Sequence, residues 1–120
     1  RVPAQRFATV ASQWARSVHG YEFAWPSPLW GGRLGAAHGV ELPFVFGNLH
    51  TPTGHELAGP MPPVALAEAL QQHWVAFAQG GDPGWAPYAG AQPPVQHFGA
   101  SPYCAPHQQP ARFALWDGIL

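Results

Sequence analysis

An α/β fold is predicted for this chain by three segments in order: an alternating apolar run, a long amphipathic stretch and a second short apolar run. Tyr21, Phe23 and Trp25 alternate with Glu22 and Ala24, which is the period of a strand with one face on a core. Leu66, Leu70, His73 and Phe77 recur at helical spacing, with Trp74 beside His73. A lone strand would leave ladder groups unpaired and apolar faces wet, so the order suits the end of a larger sheet better than a closed small domain.

Composition points the same way. Of 120 residues, 47% are hydrophobic and only 9% charged, against about 25% charged in an ordinary soluble domain. Gly 14 and Pro 15 approach the composition of disordered chains, but six Trp, seven Phe and three Tyr supply ample apolar area to bury. Much of this surface is therefore expected to lie against further protein. Residues 1–120 read as one unit and as a piece of something longer, a reading to which the missing initiator Met adds.

Taken in order, Pro3 to Ser17 are predicted as a helix, with Pro3 in the first turn and Phe7, Val10 and Trp14 on one face. The strand at residues 21–25 ends at Pro26 and Pro28. Residues 26–39, with four Gly and two Pro, form a loop. Val40 to Leu49 is a short helix or an extended segment, which periodicity does not separate, and residues 50–61 are a second loop. Pro62 and Pro63 open the clearest helix, Val64 to Gln79, which Gly80-Gly81-Asp82-Pro83 stops. Residues 84–94 are turn-rich, and Val95 to Phe98 form a short strand. Phe113, Leu115, Trp116 and Ile119 suit a short terminal helix.

Several function classes drop out. The net charge is −1 with no basic stripe, so nucleic acid is not an expected partner. No run of 18 apolar residues is present, and no membrane span is expected. No signal peptide is visible, which leans toward the cytoplasm without fixing a compartment. The single Cys104 excludes an internal disulfide and a multi-cysteine zinc site, and its surroundings do not activate a thiol. None of the seven His falls in a zinc-binding pattern, so no metal is expected; His50 and His55 are a weak pair, and His73 reads as a packed, hydrogen-bonded core His. Gly31-Gly32-Arg33-Leu34-Gly35 is not a phosphate loop, and flexibility explains it better. Trp25, Trp30 and Trp85 are expected at core edges rather than on sugars or bases.

The four serines, Ser12, Ser17, Ser27 and Ser101, are all outside a GxSxG elbow. His38 nevertheless has the setting of a catalytic base, on a Gly-rich loop after a strand with Gly39 and an apolar anchor behind it. In hydrolases whose triad runs Ser, then Asp or Glu, then His, a late piece of the chain carries only the His.

The stretch Gly35-Ala36-Ala37-His38-Gly39-Val40-Glu41-Leu42-Pro43-Phe44-Val45-Phe46-Gly47 closely resembles the catalytic-His segment of type-B carboxylesterases, the family of para-nitrobenzyl esterases and cholinesterases. Tyr21-Glu22-Phe23-Ala24-Trp25 resembles the strand before that segment, and Trp74 through Pro83 resembles the family's Trp-x-x-Phe-Ala…Gly-Asp-Pro stretch. Ala114-Leu115-Trp116-Asp117-Gly118 is similar to its terminal helix, while residues 89–110 match loosely. The departures, Gly84 for Asn and the extra Ala86, fall in a turn.

The resemblance implies the C-terminal part of an α/β-hydrolase fold, late sheet strands with flanking helices. It implies a serine esterase acting on small carboxylic esters without a cofactor, with His38 as base and with the nucleophile and acid upstream in the same polypeptide. The chain alone is then expected to be inactive. Glu41, only three residues from His38, reads as a buried carboxylate anchoring the His loop and not as the triad acid. Trp30 is a candidate pocket residue through its nearness to His38 in sequence. The alternatives are a non-catalytic interaction module of the same architecture and, more weakly, an aromatic-rich carbohydrate-binding domain.

Overall fold

The computed structural model describes residues 2–106, 114–116 and 118–119. Its elements run α1 (Val2–Ala11), β1 (Gly20–Phe23), α2 (Leu42–Val45), α3 (Pro52–Ala58), α4 (Val64–Gly80), β2 (Pro94–Phe98) and β3 (Tyr103–Pro106). The strands form one mixed sheet in the order β1-β2-β3, with β1 parallel to β2 and β2 antiparallel to β3. A parallel pair cannot be joined by a hairpin, and here α2, α3 and α4 fill the crossover.

Strand alternation turns Tyr21 and Phe23 of β1, with Phe98 of β2, onto the face that packs under the helices. There they meet Phe44 of α2, Ala58 of α3 and Leu66, Ala67 and Leu70 of α4. Phe44 sits at the centre, fully buried, with the rings of Phe23 and Trp25 each tilted against it at 5.1 Å. The opposite face of the same strands presents Glu22 and His97, which are register partners.

α4 matches its predicted span and ends as expected at Gly81, a left-handed cap whose N–H reaches the Phe77 carbonyl at 2.7 Å. His73 is the packed histidine predicted: its Nδ1 lies 2.6 Å from the Pro83 carbonyl, which can only accept, so Nδ1 carries the proton. The indole N–H of Trp85 closes the same turn onto the Gly20 carbonyl at 3.0 Å.

Two expectations are corrected. α1 stops at Ala11 instead of Ser17, because the next turns tighten: Gln13 N–H bonds Val10 O and Trp14 N–H bonds Ala11 O, while the Ser12 hydroxyl bonds the Thr9 carbonyl. The loop expected over residues 50–61 contains α3, begun by Thr51, whose hydroxyl oxygen accepts from Gly54 N–H at 3.1 Å, with Pro52 following in the first turn. The Gly-rich loop uses the backbone freedom expected of its glycines, with positive φ at Gly31, Gly32 and Gly35, while Ser27 and Gly35 form a bridge and Gly32 N–H bonds the Pro28 carbonyl. Thr51→Ala should lower stability by about 1 kcal/mol in denaturant unfolding, with Thr51→Ser close to the parent.

Of the stripe predicted over Phe7, Val10 and Trp14, Phe7 and Val10 lie on α1 and are open, Phe7 at 74% exposure, while Trp14 falls beyond the end of the helix at 84%; α1 buries none of its residues. Its Arg6 guanidinium donates to the Trp116 carbonyl at 2.7 Å. Of the expected terminal helix, Phe113 and Asp117 lie outside the described residues, and Ile119 N–H bonds Trp116 O in a turn. β3 had no counterpart in the sequence reading.

Candidate active site

His38 opens the turn that follows the Gly-rich loop. Val40 N–H bonds the Ala37 carbonyl at 3.2 Å, and Leu42 N–H bonds Gly39 O at 3.1 Å. Gly39 takes φ 85°, a backbone conformation that a side chain would strain, and this lets the chain reverse directly into α2. Val40 is fully buried beneath the turn while His38 is exposed, so an apolar anchor holds the turn and leaves the imidazole accessible.

The imidazole borders a cavity of about 440 Å³ between the Gly-rich loop, β1 and α1. Glu41 lines the same cavity, with Tyr21, Glu22 and Tyr88. Glu41 is half-buried and stands at the N-terminus of α2, where its side chain makes no capping bond. Burial pushes the Tyr21 phenol above its ordinary range, the charge of Glu41 adds to this, and a hydrogen bond with Trp74 opposes both. Glu41 is thus electrostatically felt on the β1 side of the cavity. Among the described residues no hydrogen bond joins it to His38, and none orients the imidazole.

Trp30 is placed elsewhere. It sits on the Gly-rich loop at φ 55°, 74% exposed, and is not among the residues lining the His38 cavity. Trp25 and Trp85 do pack at the core edge, as expected. Cys104 is exposed on β3. Among the described residues no three His, Cys, Asp or Glu side chains converge as a metal site would require.

Two polar groups near the cavity escaped the sequence reading. His97 is buried on β2 with Nδ1 3.8 Å from a Glu22 carboxylate oxygen, and the Tyr103 ring stacks on it at 4.6 Å. Its Nε2 and the Tyr88 hydroxyl are buried without a hydrogen-bond partner among the described residues. Only the β1–β2 register brings Glu22 beside His97, so no local sequence signal could have shown this.

No protein-family model matches the chain. It is 42% identical over 71 residues to the phenmedipham hydrolase of Pseudarthrobacter oxydans, covering 57% of this chain and 14% of that protein. It is 30% identical over 128 residues to the acetylcholinesterase of Gallus gallus, covering 98% of this chain and 16% of that protein. A thermophilic PNB esterase superposes with a TM-score of 0.80 at 25% identity, over 93% of this chain and 24% of that one. The chain belongs to the type-B carboxylesterase family. Its three strands and flanking helices are part of an α/β-hydrolase fold. The chain spans about a seventh of the curated relatives' length.

Proposed function

We propose that the polypeptide containing this chain is a serine carboxylesterase in which His38 is the general base. The observation that carries the reading is the exposed His38, held on a Gly39 turn beside a cavity, within a fold that superposes on a PNB esterase. His38 takes the proton from a serine hydroxyl as it attacks the ester carbonyl, then returns it to the leaving alcohol. Water attacks the acyl-enzyme with the same assistance. Backbone N–H groups stabilise the oxyanion, and a carboxylate holds the imidazole tautomer. The serine, acid and oxyanion donors come from the upstream part of the same polypeptide, which also covers the open α1 stripe. Alone, this chain is inactive.

Small carboxylic esters are the substrate class, and the chemistry draws on no cofactor. Trp30, outward on its loop, would extend the pocket once the upstream part is in place. The test is active-site labelling of the complete gene product. An organophosphonate should block hydrolysis of a nitrophenyl ester and modify one serine upstream of this segment. Ester hydrolysis that survives the reagent, or the absence of any, would overturn the reading.

A further inference from the structure

α2 is a single turn of helix, too short to satisfy its own backbone, so each carbonyl along it needs a partner. Glu41 O accepts from Phe44 and Val45 N–H, Leu42 O from Phe46 N–H, and Pro43 O from Asn48 N–H. Phe44 O is filled from outside the segment: the Gln71 amide of α4 donates to it at 2.9 Å. Phe44 is fully buried, so without Gln71 that carbonyl has little access to water.

Gly47 supplies a second observation. A Cβ there would meet the Gln71 amide at 3.4 Å from Nε2 and 3.5 Å from Oε1, which is ordinary van der Waals contact, so the amide lies alongside the Gly47 backbone. Gly47 takes φ 67°, a conformation that a side chain would strain, and this turns the chain leaving α2 directly beside the amide. In the other direction, the bonds from Val40 to Ala37 and from Leu42 to Gly39 tie α2 directly to the His38 turn.

We infer that Gln71 is a positioning residue for His38: its amide, bonded to the Phe44 carbonyl beside Gly47, fixes α2 and through it the turn carrying the imidazole. This rests on the esterase reading above. Gln71 touches neither substrate nor His38. It acts by fixing α2 against α4, and a displacement on the order of 1 Å at a catalytic group can cost about a hundredfold in rate.

The experiment uses the complete gene product with Gln71→Met, which keeps the length and removes the donor, and Gln71→Lys, which restores a donor. Folding of each is verified by near-UV circular dichroism. For Gln71→Met, kcat on a nitrophenyl ester should fall about tenfold, with KM within about twofold because ground-state contacts are untouched. Gln71→Lys should recover most of kcat. If Gln71→Met does not fold, Gln71→Glu replaces it, since an ionised carboxylate accepts only and should show the same kcat loss. An unchanged kcat in a folded donor-less variant overturns the inference, as does a Lys variant no better than it. Both outcomes differ from failure of the esterase reading itself, in which the parent is inactive or His38→Ala leaves it unaffected; that result overturns both.

Discussion

His38→Ala in the complete protein should reduce kcat for ester hydrolysis by roughly 10⁴- to 10⁶-fold, with KM little changed. In the proposed mechanism the base is used only as the serine proton moves, so its loss would fall on the transition state and not on binding. The site suits the experiment, because an exposed side chain outside the core leaves folding stability within about 0.5 kcal/mol when truncated. Thermal unfolding of the variant should therefore overlay the parent while steady-state turnover collapses. Added free imidazole should restore part of the rate, because the missing group is a proton acceptor of that chemistry. Full activity in the variant would remove His38 from the mechanism.

Phe44→Ala should cost about 3–5 kcal/mol in denaturant unfolding of the complete protein. Phe44 is fully buried, the rings of Phe23 and Trp25 close on it at 5.1 Å, and its backbone is the anchor of α2. The loss compares with a total stability of roughly 5–15 kcal/mol for an ordinary domain. Phe44→Leu should cost less than half as much, since it leaves a smaller void. The position is two residues beyond the α2 N-terminus, so what remains folded of Phe44→Ala should also be slow in turnover. A loss under about 1 kcal/mol would show that α2 is not seated on this core.

Legibility differed from element to element for physical reasons. α4 was clear because seventeen residues carry one period, with prolines before and glycines after, and every one of those signals is local. β1 was readable because alternation is also local. α3 had its signal, Thr51 followed by Pro52, but seven residues are too few for a helical period to stand out among Gly and Pro. The end of α1 turned on side chains bonding its own backbone, which a hydrophobic pattern does not register. β3 exists as a strand because β2 lies beside it, with Gln96 opposite Cys104 and His97 opposite Tyr103.

The candidate site divides in the same manner. By itself the sequence determined that Gly39 follows His38, that Glu41 stands three residues beyond it and that these 120 residues contain no nucleophile elbow, because each depends on residues adjacent in the chain. Tertiary structure alone decided that His38, Glu41 and Tyr21 share one cavity, that Trp30 stands outside it, and that Gln71 reaches the Phe44 carbonyl. It also decided that His97 lies against Glu22. Each of these follows from strand register or from helix packing across the sheet, which join residues far apart in sequence. Local propensity carries no record of which distant partner satisfies a buried carbonyl or carboxylate.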